Sequence, residues 1–309
     1  MTAGIIFAAL CALILLASYG AYFIAFHSPQ GNQNNIFNLP KGKEYLPQRE
    51  EMRDMIRHAA SIPYEEVSVT SYDGLKLAGQ YYHVRDGAPL VIGFHGYRAT
   101  AIRDFCGGMP LMRELGFNVL LPHHRGQGKS QGHAVTFGIK ERFDVLTWVE
   151  YANARFGNTT PILLYGISMG GATVLMAAGL ELPENVKGIL ADCPYTTPKA
   201  IIRKVAKDMG IPPALIYPFV RLGGLLFAGG IDPKDASALV GVEGATVPIT
   251  VIHGEADAFV PADMSREIKK ANPAIDLQLF PGAHHGISYM KDKPRYLSIV
   301  TEFALKCLK

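Results

Sequence analysis

The chain has 309 residues, 49% of them hydrophobic, and its 30 Lys and Arg against 27 Asp and Glu leave a net charge of +3. That length suits one large α/β domain or two small ones, and so mild a charge with no basic stripe argues against a nucleic-acid partner. Cys11, Cys106, Cys193 and Cys307 are scattered, with no CxxC pair; no His/Cys/Glu group has zinc spacing and no phosphate-cradling glycine loop occurs, so neither metal nor cofactor is expected.

The first element is an apolar run from Ala3 to Phe26, with no Asp, Glu, Lys or Arg before Lys41. It is long enough to cross a hydrocarbon core with some tilt, and Tyr19, Tyr22 and Phe26 suit its far interface. Residues 1–28 are therefore expected to be a single-pass membrane anchor. A cleaved signal peptide is the rival reading, through the small-residue site Ser18-Tyr19-Gly20, but the basic leader is missing and the run exceeds a usual signal core. Lys41, Lys43, Arg49 and Arg53 follow the span while only the α-amino group precedes it, which favours a cytoplasmic placement of the chain that follows; the scattered cysteines lean the same way. Residues 29–62 read as a linker, rich in Asn, Gln, Pro and Gly up to Pro40, then an amphipathic helix over 44–61 with Met52, Met55 and Ile56 on its apolar side.

From residue 63 onward strands and helices alternate. A hairpin, 66–71 and 76–83, turns at Asp73-Gly74. Strand 89–94, helix 101–115, strand 118–121, helix 140–156, strand 161–165 and strand 186–192 follow. Strand 247–253, helix 262–271, strand 275–280 and a last helix 295–308 complete the order. Such alternation predicts a mostly parallel eight-stranded sheet with helices on both faces. Residues 194–246 interrupt it with two expected helices, 197–209 and 214–228.

The chemistry concentrates at strand ends. Gly166-Ile167-Ser168-Met169-Gly170 follows the apolar run 161–165 and precedes a helical stretch. A strand that turns this sharply into a helix pushes the serine hydroxyl out of the backbone, and the flanking positions must be glycine. A serine hydroxyl needs a base, and the base an orienting acid. Downstream, Glu255 and Asp257 follow one strand, and His284 and His285 follow the next. Acyl transfer also needs two N–H groups aimed at an oxyanion; Met169 and Tyr97 are the candidates, with Gly96 allowing the close approach. His95 is read as holding that loop by hydrogen bonds.

These motifs resemble the α/β-hydrolase family, in particular a bacterial membrane-anchored branch related to serine aminopeptidases and monoacylglycerol lipases. The resemblance runs from about Val67 to Lys309, through Asp73–Leu77, His95-Gly96-Tyr97, Arg125–Ser130, the serine turn and the two later loops. It implies a triad in the order Ser168, Asp257, His285: the His-Gly-x-x-Asp-x-x-Val-Pro layout of 253–261 selects Asp257 over Glu255, and the family layout selects His285 over His284. It also implies that 194–246 is a cap carrying specificity, with Tyr195, Tyr217 and Phe219 as candidate pocket residues; the apolar run 215–227 reads as an acyl-chain pocket or a membrane-facing lid, or as ordinary packing of a cap helix onto the body. One departure is that His123 and Gln127 stand where the family usually has Asp and His, in a loop that shapes the site without reacting. The function expected is hydrolysis of a small carboxylic ester. Amide or peptide cleavage, acyl transfer, or a non-catalytic membrane-anchored binding role are the alternatives.

Overall fold

The computed structural model describes residues 2–28, 35–40 and 42–308; within the expected linker, residues 29–34 and Lys41 lie outside the described residues. Eight strands form one sheet: β1 (Glu65–Thr70), β2 (Lys76–Tyr82), β3 (Leu90–Phe94), β4 (Asn118–Pro122), β5 (Ile162–Ile167), β6 (Val186–Asp192), β7 (Ile249–Gly254) and β8 (Asp276–Phe280). Their order is β1-β2-β4-β3-β5-β6-β7-β8. Pairing is antiparallel at β1–β2–β4 and parallel from there on.

The helices are α1 (Thr2–Ala25), α2 (Arg49–Ser61), α3 (Ala101–Asp104), α4 (Gly108–Glu114), α5 (Glu141–Phe156), α6 (Met169–Ala177), α7 (Pro198–Asp208), α8 (Pro213–Phe227), α9 (Ala238–Glu243), α10 (Asp263–Ala271), α11 (Ser288–Lys291) and α12 (Lys293–Cys307). Two expected helices differ. The one over 101–115 is split into α3 and α4, with Phe105 leaving helical geometry ahead of Gly107 and Gly108. The one over 44–61 opens as a 3-10 turn, Lys43–Gln48, around Pro47, and only Arg49–Ser61 is α-helical.

Side chains alternate across the strands, so each strand feeds two core layers. Leu90, Ile92, Phe94, Ile162 and Leu164 pack on one face with Trp148, Met169, Val220 and Phe26. Val91, Leu163, Tyr165 and Ile252 pack on the other with Ile56, Met109, Tyr296 and Phe303. In-register pairs Phe94↔Gly166, Ile167↔Asp192 and Gly254↔Phe280 bring the carboxyl ends of β3, β5, β6, β7 and β8 to one edge. In an open α/β sheet that edge is where ligands bind.

The helix α1 is long and apolar enough to cross a membrane, and most of it stands clear of the domain. Its end does not. Phe26 is fully buried, its carbonyl accepts from Val135 N–H at 2.8 Å, and His27 forms a β-bridge with Ala134. Gly223 of α8 admits α1 so closely that a Cβ there would lie 2.5 Å from the Ser18 carbonyl oxygen.

Candidate active site

The turn after β5 holds Ser168 at φ 55°, ψ −114°, a strained backbone for a residue with a side chain. Its flanking glycines are forced by contact: a Cβ on Gly166 would sit 2.2 Å from the Gly170 carbonyl oxygen, and one on Gly170 would sit 1.8 Å from that of Phe94. Ser168 N–H donates to Asp192 O at 2.8 Å, which ties the turn to β6.

The loops after β7 and β8 meet it. His285 Nε2 lies 2.9 Å from Ser168 Oγ, and His285 Nδ1 lies 2.6 Å from Asp257 Oδ2. The tautomer that satisfies both has Nδ1–H donating to the carboxylate and Nε2 accepting from the hydroxyl. The Asp257 side chain is fully buried. Its Oδ1 accepts from the N–H groups of Phe259 (2.9 Å) and Val260 (2.8 Å), and His253 Nε2 lies 3.3 Å from Oδ2. Burial alone would raise the pKa of this carboxyl. Hydrogen bonds from His253 and His285 outweigh burial and hold it well below the usual carboxylate range. His284 and Glu255 are not part of this series; Glu255 pairs with Arg266 at 3.2 Å.

Of the expected oxyanion donors, Met169 is fully buried at the first turn of α6. Gly96 passes so close to the serine turn that a Cβ on it would lie 3.4 Å from Ser168 Cβ, which brings the start of the Tyr97 loop alongside. Gly96 N–H is itself engaged, donating to Asp104 Oδ2 at 2.7 Å. His95 Nδ1 lies 2.9 Å from Gly96 O, and its Nε2 accepts from His124 N–H at 3.3 Å. This buried imidazole braces the loop. The Tyr97 hydroxyl points away from the serine and donates to Ala25 O at 2.7 Å, while Arg98, at φ 48°, donates to Ile24 O and His27 O.

A cavity of about 390 Å³ opens beside Ser168 and His285. Its walls include Tyr45, Met52 and Met55 from the segment before β1, Cys106 and Gly107 between α3 and α4, and Tyr289 and Met290 of α11. This corrects the expected pocket. Tyr195, Tyr217 and Phe219 do not line it, because the cap packs into the core layer on the other face of the sheet. Tyr195 is buried and donates to Phe137 O at 2.9 Å; Tyr217 and Phe219 belong to α8, whose last turn packs against the end of α1. The site is roofed instead by the segment 43–61, whose Tyr45 hydroxyl donates to His285 O at 2.9 Å.

Three further residues escaped the sequence reading. Asp192 lines the cavity; its Oδ2 accepts from Tyr296 at 2.7 Å, Tyr296 in turn bonds Tyr165, and burial raises the Asp192 pKa. Cys193, at φ 46°, lies with Sγ 3.9 Å from His285 Nε2. His253 supports Asp257 and bonds Ser265 Oγ at 2.6 Å. Only the polar ends of otherwise apolar strands marked them. Among the described residues, Cys193, Asp257 and His285 bring metal-ligating atoms within 4.8 Å of one another. Burial raises the Cys193 thiol pKa well above its ordinary value, and Asp257 is already bonded to His285, so the set suits proton transfer better than coordination.

A family model for the alpha/beta hydrolase fold matches residues 89–214, and one for the dienelactone hydrolase family matches residues 229–304. YqkD of Bacillus subtilis is 25% identical over 76% of this chain and 77% of its own. A monoacylglycerol lipase of Mycolicibacterium smegmatis is 25% identical over 72% of this chain and 90% of its own. An esterase of Pyrococcus furiosus shares the fold at TM-score 0.65 and 24% identity, covering 82% of this chain and 93% of its own. Est1E of Butyrivibrio proteoclasticus, solved with ferulic acid bound, does so at TM-score 0.61 and 24% identity, over 80% and 99%. These matches support an enzyme of the hydrolase type. The chain has the alpha/beta hydrolase fold, and its sequence matches that family's model over residues 89–214.

Proposed function

We propose that this protein is a membrane-anchored serine hydrolase that cleaves carboxylic esters. The observation that carries the reading is the unbroken hydrogen-bonded series Ser168–His285–Asp257, at 2.9 and 2.6 Å. In this reading His285 Nε2 takes the hydroxyl proton as Ser168 Oγ bonds to the acyl carbon. Asp257 steadies the imidazolium. The N–H groups of Met169 and Tyr97 hold the oxyanion. The imidazolium then protonates the departing alcohol, and water, deprotonated by His285, releases the acid and restores Ser168. No cofactor or metal enters these steps.

The methionines and aromatic rings around the cavity suit an apolar acyl group, and the resemblance to a monoacylglycerol lipase supports an ester of that kind. Amide or peptide cleavage by the same residues is the near alternative. In the same proposal α1 crosses a membrane once and the catalytic domain faces the cytoplasm, as the lysines and arginines after the span favour.

The test uses the full chain in lipid nanodiscs, assayed on p-nitrophenyl esters from acetate to palmitate beside Ser168→Ala and His285→Ala. Turnover by the wild type, lost in both variants, is expected, with a fluorophosphonate labelling Ser168. No turnover on any ester, together with no labelling, overturns the hydrolase reading and favours a binding role.

A further inference from the structure

The cap helix α8 does not roof the cavity, and its outer face has no cover among the described residues. Leu215, Leu225 and Leu226 are 68%, 41% and 51% exposed, and Ala214 and Pro218 are exposed on the same helix. Arg221 stands among them, but Asp232 holds its guanidinium at 2.5 Å. An exposed leucine-rich stripe whose one cation is paired is a poor surface to leave in water.

Its neighbour identifies the occupant. Gly223 packs on Ser18 O and Tyr22, and the Phe227 ring meets Tyr19 at 5.2 Å and Tyr22 at 5.8 Å. The last turn of α8, with Leu225 and Leu226, is therefore level with residues 18–22 of α1. A helix of 24 residues is about 36 Å long, and the hydrocarbon core is about 30 Å thick. With Thr2 at one boundary, the other falls near residues 21–22, at the height of that turn. Next to α8, α7 carries Lys199, Arg203 and Lys207, cations suited to lipid phosphates.

We propose that α8 is a second membrane element, lying in the interface of the same bilayer that α1 crosses, with Leu225 and Leu226 among the acyl chains. The inference rests on the reading of α1 as a span. It turns the anchor from a tether into a mount: α1 and α8 together seat the domain in one orientation on the lipid surface.

Tryptophan quenching tests it. The native Trp148 is 1% exposed and serves as the baseline. Full-length protein is reconstituted in phosphatidylcholine–phosphatidylglycerol vesicles, with and without brominated acyl chains. The variants are Leu225→Trp, Leu226→Trp, Phe7→Trp in the span and Val240→Trp on α9. The expected result is that Leu225→Trp and Leu226→Trp are quenched by bromolipid to about half the extent of Phe7→Trp or more, while Val240→Trp is not. Quenching of Phe7→Trp alone, with α8 open to acrylamide, overturns the inference and leaves the span intact. An α8 shielded from both quenchers overturns it in favour of a second copy on this face. An unquenched Phe7→Trp overturns the span and, with it, the mount.

Discussion

At Gly170 a single methyl group separates a working serine turn from a distorted one, because its Cβ would lie 1.8 Å from the Phe94 carbonyl oxygen and neither backbone can yield. Gly170→Ala is expected to lower stability by about 1–3 kcal/mol, seen as an earlier urea midpoint, and to reduce kcat more than 100-fold, roughly the loss of one oxyanion donor. Asp257→Asn makes a cleaner cut. The amide oxygen can still accept from Phe259 and Val260, so the loop persists, but its NH₂ then faces His285 Nδ1 and favours the wrong tautomer. The expected result is an unchanged circular dichroism spectrum with kcat down about 10⁴-fold; a smaller loss than tenfold would remove Asp257 from the mechanism. Ser168 was legible in the sequence because the turn's sterics are written into its two glycines. The choice between His284 and His285 was not legible from the residues themselves. Adjacent side chains in a short loop differ only in the direction they leave it, and only a known layout could choose. Cys193, Asp192 and His253 left less signal still, since each ends an apolar strand and meets its partners through tertiary contact.

Among the elements, the strands were the most legible, since buried parallel strands are continuous apolar runs whose ends must fall where polar and glycine residues begin. In the cap, α7 and α8 were legible as helices and α9 was not, and the surface that α8 covers was left open. An apolar helix needs a surface to cover, and its sequence does not say which: α8 covers α1, whereas the 43–61 segment covers the cavity. Two predictions follow from that exchange. Gly107 faces the cavity, and a Cβ on it would lie 3.0 Å from Met55 Cε and 3.1 Å from the Tyr289 ring. Gly107→Val should narrow the pocket and move the preferred p-nitrophenyl ester to shorter acyl chains, with acetate turnover kept within about threefold, whereas truncations of Tyr217 or Phe219 should leave the preference unmoved. The second concerns the end of α1, whose carbonyls at Ile24, Ala25 and His27 are satisfied by Tyr97 and Arg98, from the same loop that supplies the proposed oxyanion donor. Tyr97→Phe removes one such bond, so a loss of about 1 kcal/mol in stability is expected. A protein cut back to residue 38 loses the whole contact and uncovers Phe137 and Phe227; it should aggregate, or fold with a depressed kcat and a near-normal KM. Full activity in the truncated form would show that the loop holds itself.

Over the whole molecule, the net charge of +3 hides an uneven distribution of protons between folded and unfolded chain. His95, His123 and His124 are clustered near the β3 and β4 ends, the first and last buried and His123 half-buried, and all three are held neutral. Burial drives their pKa values down, with Lys129 adding to the effect at His123, which falls to about 4, and His124 adding to it at His95. In the unfolded chain each takes a proton near pH 6.5. The unfolded state therefore binds more protons below that pH, and stability falls as the solution is acidified. The contribution is complete above pH 6.5 and is lost progressively down to about pH 4, where His123 itself becomes charged in the fold; from that one residue the loss amounts to about 3 kcal/mol. Asp73 extends the same trend to lower pH: burial opposes its ionisation, but Arg125 and Ser71 hold it at about 2, so its share disappears only as the pH drops from 3.8 toward that value. Urea midpoints of the nanodisc-embedded protein should therefore be level from pH 8 to 7 and decline steadily from 6.5 to 4. His123→Asn should flatten that slope while leaving ester turnover at pH 8 within about twofold, because His123 bonds Lys129 N–H and does not line the cavity. A slope that His123→Asn leaves intact would shift the proton uptake to His95 and His124, the pair that braces the Tyr97 loop, and acid would then disarm the site before it unfolds the domain.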